Sequence, residues 1–383
     1  LLPAPDSVYI SVPQPDSSTM VYLYKKMDSI RVQRTAMGRF LLSSRLRIQS
    51  INLGKFFTAR PVQFSLSPGL STNGRMNPQV VNNFSFNALG GYSGGVNGLE
   101  IGGLFNLDKN DMKYVQVGGL FNLVGGNMHG FQTGGLQNTV LSNGGGFQVG
   151  GINNFVKGQF SGIQVGGVVN FTNKKFTGLQ IGGVGNITGQ QMSGVQIGGV
   201  FNYAKRLKGV QIGLINIADS SEGYSIGLIN VVFRGYHKLA FYSNEVLPFN
   251  AAFKTGNHKL YSILMGGANP DTSNKIFSFG YGIGREWKLG RSLALNTELS
   301  AEYLYMGSWE YTNLLARPAI TLQFRIGKYF GIYAGPAYNV FFTDQERKVA
   351  GYRYPVPGGS LKANSLGKNR TGWLGWQAGF NFF

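Results

Sequence analysis

The chain has 383 residues, and its 58 glycines are about twice the usual share of roughly 7%. Charged residues make up only 13%, about half of the roughly 25% of an ordinary soluble domain, so composition argues against a conventional water-soluble fold. The absence of cysteine excludes disulfide frameworks and thiolate chemistry. The net charge of +19 would suit nucleic acid, phospholipid or lipopolysaccharide phosphates, and the positions of the charges must distinguish between them.

The first 58 residues form a segment of their own. Four prolines punctuate an extended start, and a basic stretch from Tyr22 to Ser50 follows, in which Arg31, Arg34 and Arg39 are candidate contacts for lipid headgroups or a protein partner. We expect a basic arm, on the periplasmic side if the rest is an outer-membrane barrel. A second possibility is a plug that enters the barrel lumen, and a third is a docking segment.

A sixteen-residue repeat occupies residues 98–230. Gly-Gly pairs begin at Gly102, Gly118, Gly134, Gly150, Gly166, Gly182 and Gly198. The unit reads Gly, apolar, Gln, apolar, Gly, Gly, apolar, any residue, Asn, and two shortened copies end the run. Within each copy apolar and polar residues alternate with a period of two, which indicates a strand with two different faces.

Two architectures can use this repeat. Each copy can be one strand of an antiparallel transmembrane barrel, with apolar residues outward and amides inward. Each copy can instead be one coil of a β-solenoid, with its asparagines stacked as a ladder. In the barrel, the lumen-facing amides would be Gln116, Asn122, Gln148, Asn154, Gln164, Asn170, Gln180, Asn186, Gln196 and Asn202.

The rest of the chain favours the barrel. After residue 236 the repeat stops but the alternation continues, with predicted strands at 238–254, 258–266, 275–287, 291–305, 312–326, 328–342 and 371–383. The nine repeats and two strands near 61–68 and 79–90 raise the total to about 18, within a range of 16 to 20. We therefore predict an all-β protein in which 59–383 form the barrel and 343–370 form a long extracellular loop. The alternative is a β-solenoid joined to a smaller barrel.

Charged residues on the polar strand faces form one candidate site. A short loop between the strands at 291–305 and 312–326 places Arg317 diagonally between Glu298 and Glu302. Glu286 and Arg325 are expected nearby. These five residues form either an ion cluster that holds the strand register inside the wall or a charged constriction that selects solutes.

The remaining charges lie mainly in the turns between repeats. Lys174, Lys175, Lys205, Arg206 and Lys208 are candidate contacts for outer-membrane lipid, lipopolysaccharide or a protein partner. Nucleic-acid binding is not expected, because these basic residues are not gathered with aromatic residues on one face. No cofactor, metal site or catalytic set is predicted, since no spacing combines a histidine with a serine and an acid.

The segment Asn83–Glu100, followed by the repeated Gln-apolar-Gly-Gly-apolar-x-Asn, resembles the surface-repeat-containing outer-membrane proteins of Gram-negative bacteria. The resemblance covers roughly 60–383 and implies an outer-membrane location. An even number of strands puts both termini on one side of the membrane, which we expect to be the periplasm. It supplies no catalytic residues. We expect a non-enzymatic structural or accessory subunit of an envelope protein complex. A porin-like diffusion channel and a surface adhesin-like repeat protein are the alternatives.

Overall fold

The computed structural model describes residues 32–53, 57–357 and 362–383. The described residues form two compact units, one made of those up to 145 together with 156–158, the other of those in 146–155 together with those from 159 onward. Both units contain coils of a parallel β-solenoid, about ten in all, and the second unit also contains a closed eight-stranded antiparallel barrel.

The described part of the first unit consists of short helices followed by solenoid coils. The helical segments are a 3-10 turn at Val32–Arg34, α1 (Ala36–Leu41), α2 (Ser44–Asn52) and a second 3-10 turn at Gly74–Gln79. The strands are β1 (Thr58–Ser67), β2 (Leu70–Ser71), β3 (Val80–Asn87), β4 (Gly90–Ser93), β5 (Gly95–Gly102), β6 (Phe105–Asp108), β7 (Met112–Gly118), β8 (Phe121–Val124), β9 (Met128–Gly134) and β10 (Gln137–Val140). The division between the units runs through β11 (Gly144–Gly150) and β12 (Asn153–Val156).

The second unit holds the remaining coils and the barrel. The coil strands are β13 (Phe160–Gly166), β14 (Val169–Thr172), β15 (Phe176–Gly182), β16 (Gly185–Gly198), β17 (Phe201–Leu207), β18 (Val210–Ile212), β19 (Ile215–Ser221), β20 (Tyr224–Ile226) and β21 (Ile229–Val232). The barrel strands are β22 (Tyr236–Asn244), β23 (Phe249–Gly256), β24 (Tyr261–Asn269), β25 (Ile276–Lys288), β26 (Leu293–Tyr305), β27 (Asn313–Ile326), β28 (Phe330–Thr343) and β30 (Arg370–Phe382). A short strand, β29 (Asn364–Gly367), pairs with β30 outside the barrel wall.

Each repeat forms one coil, which consists of a long strand, a Gly-Gly corner and a short strand. Equivalent residues of successive coils pair in parallel, so that Gln164 lies beside Gln180 and Asn170 beside Asn186. The last coils are shorter by two residues, and Asn202 pairs with Asn216. The sixteen-residue period of the sequence is therefore the length of one coil.

Close stacking of the backbones explains the glycines of the repeat. Gly178 has a φ of +126°, and a Cβ there would lie 2.0 Å from the carbonyl oxygen of Gly162. At the corner, a Cβ on Gly183 would lie 2.1 Å from the carbonyl oxygen of Gly167. Only glycine fits either position without displacing the next coil.

The helices of the first unit pack on its solenoid coils. Val32 and Leu42 join a buried cluster with Tyr92, Leu107 and Leu123. The Nζ of Lys109 donates to the carbonyl oxygen of Ser50 at 2.9 Å, which ties α2 to a coil turn. Residues 32–52 thus cover one outer face of these coils.

The barrel closes through pairing of β22 with β30, while its other strands pair with their sequence neighbours. The connections between barrel strands are short at one end of the barrel and mostly longer at the other. The turns 257–260, 289–292 and 327–329 lie at the end where β22 begins, and the connections 245–248, 270–275, 306–312 and 344–369 lie at the opposite end.

The prediction of a barrel of about 18 strands is wrong. Residues 98–230 do not contribute nine barrel strands, because each repeat bends at its Gly-Gly corner and pairs in parallel with its neighbours. A meander barrel requires antiparallel pairing between consecutive strands. The structure agrees with the alternative, a β-solenoid joined to a smaller barrel.

Candidate functional site

The barrel interior contains buried ion pairs. Lys238 of β22 pairs with Glu286 of β25, and Lys254 of β23 pairs with Glu298 of β26. The Tyr261 hydroxyl also donates to Glu298, with a distance of 2.8 Å to Oε1. These strands place the charged side chains inside because each strand alternates inward polar with outward apolar residues.

A second interior group surrounds Arg317 of β27. Arg317 pairs across the strands with Ser300, which places it diagonally between Glu298 and Glu302, as its position in the sequence predicts. Its ion partner is Glu245, with 3.4 Å between Nη2 and Oε2, and Nη2 also donates to the carbonyl oxygen of Trp376 at 2.6 Å. Glu302 accepts a hydrogen bond of 2.9 Å from Ser278.

The candidate ion cluster is therefore distributed over two groups. Glu286, Glu298, Glu302 and Arg317 all have buried side chains. Arg325 lies near the first group, since its guanidinium is 4.5 Å from the centroid of the Phe383 ring and Lys238 Nζ is 4.7 Å from the same centroid.

Sequence reasoning missed Lys238, Lys254 and Glu245, which supply the opposite charges of the described ion pairs. Lys238 was detectable, because it alternates with the outward-facing Leu239 and Phe241.

These side chains leave little open space in the lumen around Arg317. The cavity that remains beside Lys254, Glu298 and Arg317 has a volume of about 10 Å³, roughly enough for one water molecule. The barrel interior is thus occupied by its own paired charges and tyrosines.

The outside of the barrel has the opposite character. Large apolar side chains stand exposed on its wall, among them Phe279, Ile283, Leu299, Ile320, Leu322, Phe324, Ile332, Leu374 and Phe380. A polar interior and an apolar exterior are the reverse of a water-soluble domain.

The solenoid coils have the same inverted polarity. The predicted barrel-lumen amides lie inside the solenoid instead, so that part of the prediction is wrong in its location. Gln116, Asn122, Gln148, Asn154, Gln164, Asn170, Gln180, Asn186, Gln196 and Asn202 are all fully buried. Parallel stacking, rather than a barrel wall, brings each amide onto the same residue of the next coil.

Hydrogen bonds along these ladders join successive coils. Asn170 Nδ2 donates to Asn186 Oδ1 at 2.9 Å and to the carbonyl oxygen of Ile181 at 2.7 Å. Gln180 Nε2 donates to Gln164 Oε1 at 2.8 Å. The Thr188 hydroxyl donates to Gln180 Oε1 at 3.1 Å, which joins the two facing sheets of a coil across the interior.

The first unit has two carboxyl groups inside its solenoid. Glu100 occupies a glutamine position of the ladder, and it accepts hydrogen bonds from Gln116 at 2.7 Å and from Asn87 at 3.0 Å. Asp108 accepts hydrogen bonds from Ser93 and from the same Gln116 side chain. Burial raises the pKa of Glu100, and burial together with the nearby Glu100 raises the pKa of Asp108 well above its usual value.

The outer surface of the coils in the second unit has an apolar edge and a polar edge. The apolar edge follows the Gly-Gly corners and consists of Ile152, Val168, Val184, Val200, Leu214 and Leu228, each 37–50% exposed. The polar edge consists of residues 173–175 between β14 and β15, 189–190 within β16, 205–208 at the end of β17 and 219–222 at the end of β19. It carries the predicted contact residues Lys174, Lys175, Lys205, Arg206 and Lys208, all of them exposed.

The final coil of the second unit contacts the barrel at both of these edges. At the polar edge, Asn257 and Lys259 of a short barrel turn donate to the carbonyl oxygens of Gly223 and Glu222 at 2.7 and 2.9 Å. At the apolar edge, the Tyr281 hydroxyl donates to the carbonyl oxygen of Gly227 at 2.6 Å. The polar edge therefore lies level with the short-turn end of the barrel.

The Asn ladder ends on the barrel wall. Asn230, its last residue, donates to the hydroxyl of Ser262 on β24. Ser262 pairs across the strands with Ile283, which is exposed on the barrel exterior, so Ser262 belongs to the same outer face. The barrel wall thus satisfies the amide that closes the ladder.

Of the basic candidates near the N-terminus, Arg34 and Arg39 are exposed on the helical segments of the first unit. Arg31 lies outside the described residues.

Comparison with known proteins gives no family model, no curated protein and no solved structure that matches this chain. Within residues 32–53, 57–357 and 362–383, no helix is both long and apolar enough to cross a membrane. The same residues contain no group of three or more His, Asp or Glu side chains suited to a metal ion.

Proposed function

We propose that the chain is an integral outer-membrane protein in which a small barrel anchors a repeat solenoid, and that its role in the cell envelope is structural rather than enzymatic. The observation that carries this proposal is the reversed polarity of the barrel, which has ion pairs inside and apolar residues outside. Eight strands are the smallest common size for such barrels, and side chains fill their lumen.

The connection lengths support an orientation. Outer-membrane barrels have short periplasmic turns and longer external loops. The short turns 257–260, 289–292 and 327–329 lie at the end where the barrel joins the solenoid. We therefore propose that the polar edge of the solenoid faces the periplasmic side, where β30 also ends.

The presence of a solenoid favours a role in binding or scaffolding, because stacked coils present one long surface on which the same residues repeat. Its placement at the short-turn end supports envelope partners on the periplasmic side rather than adhesion outside the cell. A diffusion channel has little support, since the lumen is filled around Arg317. The resemblance to surface-repeat-containing outer-membrane proteins agrees with this proposal.

Membrane insertion is tested with a matched pair of variants. Leu322 is 48% exposed on the barrel wall, and Leu366 is 46% exposed in the long connection. An arginine on the lipid face costs about 2–4 kcal/mol at the bilayer midplane. We expect Leu322→Arg to reduce folding into phospholipid vesicles, as followed by heat-modifiable gel migration, whereas Leu366→Arg folds normally. Equal folding of both variants would contradict the proposal.

The structural role is tested by purification in mild detergent. The structural role would be supported by envelope proteins that co-purify with the chain and no longer do so when the Asn ladder of the solenoid is disrupted. Stable single-channel conductance of the purified protein in planar bilayers would instead support the diffusion channel.

A further inference from the structure

We propose that the solenoid coils of the second unit lie in one leaflet of the membrane beside the barrel, with the apolar edge among the acyl chains and the polar edge among anionic phospholipid headgroups. This inference rests on the proposed membrane location of the barrel and adds that the solenoid itself binds lipid. The partner is thus a phospholipid leaflet, and the coils are not a domain in water.

The first argument is the placement of polar and apolar groups within the coils. The interior contains hydrogen-bonded amides, while the outward-facing side chains beside the corners are apolar, for example Ile181, Val184 and Ile197. In water, a stable domain buries such side chains, because removing apolar surface from water is the main driving force of folding. The coils have the same inverted pattern as the barrel.

The second argument is that the backbone is compatible with lipid. A backbone N–H or C=O in the hydrocarbon region must find its partner within the protein. Parallel pairing between coils supplies these partners, as from Gly162 to Gly178 and from Gly178 to Gly194. The terminal Asn230 finds its partner in Ser262 of the barrel wall.

The third argument is depth. On the long strand β15 the outward residues change from polar Thr177 to apolar Leu179 and Ile181, and Val184 follows at the corner. At about 3.3 Å per residue, the apolar part measures about 10–15 Å. The hydrocarbon core is about 30 Å thick, so this depth suits one leaflet.

The fourth argument is the alignment with the barrel. The apolar edge contacts Tyr281, near the middle of β25 (Ile276–Lys288), whereas the polar edge contacts Asn257 and Lys259 at the short-turn end. If the barrel spans the bilayer, these contacts place the apolar edge near the midplane and the polar edge at one interface. The apolar surfaces of the final coil and the barrel are then continuous.

The fifth argument is charge. The polar edge carries five basic residues, Lys174, Lys175, Lys205, Arg206 and Lys208, against Asp219 and Glu222. Lys208 and Glu222 partly compensate one another at 3.8 Å. The remaining excess of positive charge at the expected headgroup level complements anionic phospholipid.

The chain contains no cysteine, so single-cysteine labels can report the environment of chosen positions in the full-length protein. The variants are Val184→Cys on the apolar edge, Lys174→Cys on the polar edge and Leu322→Cys on the barrel wall, with Val200→Cys as a second apolar-edge position. Each carries an environment-sensitive fluorophore in vesicles of phosphatidylethanolamine and phosphatidylglycerol. Heat-modifiable migration selects the folded preparations.

We expect labels at 184, 200 and 322 to lose most of their fluorescence to a nitroxide quencher on the acyl chains, and the label at 174 to be quenched by aqueous iodide. Iodide quenching at 184 and 200 with lipid quenching at 322 would overturn the leaflet inference and leave the barrel proposal intact. Protection of 184 and 200 from both quenchers would also overturn it, because protein would then cover the edge. Iodide quenching at 322 would overturn the proposed membrane location itself.

A separate measurement tests the contact between the polar edge and the lipid headgroups. We expect the double variant Lys174→Glu and Lys175→Glu to lose the preference for phosphatidylglycerol vesicles over phosphatidylcholine vesicles. The control is Lys368→Glu with Arg370→Glu, an equal charge change on exposed residues at the end of the long connection and the start of β30. An undiminished preference in the solenoid variant would contradict headgroup binding by the polar edge.

Discussion

The Tyr281 hydroxyl donates a hydrogen bond of 2.6 Å to the carbonyl oxygen of Gly227. This bond joins the middle of a barrel strand to the corner of the last solenoid coil. It therefore fixes the apolar edge of that coil beside the middle of the barrel wall. Together with the contacts of Asn257 and Lys259, it defines the junction inside the second unit.

Tyr281→Phe should therefore weaken this junction. The change removes this hydrogen bond, while the Gly227 carbonyl still accepts from Asn230 Nδ2 at 3.0 Å, so we expect a cost of about 0.5–1.5 kcal/mol. Protease sensitivity of residues 223–235 in the folded protein measures the effect. Tyr329→Phe removes a hydroxyl from an exposed ring and should change nothing. Unchanged cleavage in Tyr281→Phe would show that the other contacts suffice.

The amide ladder gives a prediction about solenoid stability. Asn186 donates to the Ile197 carbonyl and to Asn202 Oδ1, at 2.8 and 2.9 Å, and accepts from Asn170. Asn186→Ala breaks all three bonds and leaves buried partners unsatisfied, so we expect a loss of about 2–4 kcal/mol. Urea unfolding followed by circular dichroism measures it. Gln190→Ala, at an exposed position of β16, is the control, and equal stability of the two variants would contradict a structural role for the ladder.

The buried carboxyls of the first unit give a pH dependence with a defined sign. Since burial raises the pKa of Glu100 and Asp108, the folded state keeps protons that the unfolded state has already released. Their contribution to stability is complete below the ordinary carboxyl pKa of about 4 and is lost as the pH rises through the raised values. The urea midpoint of the first unit should therefore fall between acidic and neutral pH.

Glu100→Gln tests the origin of this dependence. Glutamine already fills the equivalent position at Gln116, so the variant can extend the ladder without a charge. We expect it to raise the urea midpoint at neutral pH and to flatten the pH profile. Glu222→Gln, at an exposed carboxylate of the second unit, should leave that profile unchanged. An unaltered profile in Glu100→Gln would assign the dependence to other groups.

Sequence alone predicted the C-terminal strands well because alternation determines them locally. The predicted strands at 312–326 and 328–342 correspond to β27 (Asn313–Ile326) and β28 (Phe330–Thr343). The predicted strand at 238–254 is two strands, because the Asn244 side chain accepts from the backbone N–H groups of Val246 and Leu247 and forms a tight turn. That turn places Glu245 inside the barrel, where it pairs with Arg317.

The repeat was harder to interpret because its alternation suits a barrel strand and a solenoid coil equally well. The two folds differ in which residues pair, and Gln164 beside Gln180 is a long-range contact that no local pattern reveals. The doubled glycines at 182 and 183 were the available signal, since a straight barrel strand has no need for a corner there. Because of this ambiguity, the sequence pattern places the amides in a barrel lumen, whereas they lie inside the solenoid.

The buried pair of Lys254 and Glu298 permits a test of charge compensation inside the barrel. Glu298→Gln leaves the Lys254 ammonium buried without its counter-ion, at an expected cost of about 3–5 kcal/mol. The double change Lys254→Met with Glu298→Gln removes both charges and should recover most of that loss. The temperature at which heat-modifiable migration changes in detergent measures both variants. If the double variant is no more stable than Glu298→Gln, the pair contributes through something other than charge compensation.

The apolar edge of the solenoid gives the last prediction. Val184→Asp places a charge where the leaflet inference expects acyl chains, whereas Gln190→Asp places the same charge at the polar edge. A carboxylate costs about 2.5–3.5 kcal/mol at the bilayer centre and less toward the interface. Folding into phospholipid vesicles should thus weaken clearly for Val184→Asp and little for Gln190→Asp, while both variants keep their solenoid dichroism in detergent. If the coils lie in water, Val184→Asp should instead be harmless in vesicles and should improve solubility, because it then replaces an exposed apolar side chain with a hydrated one.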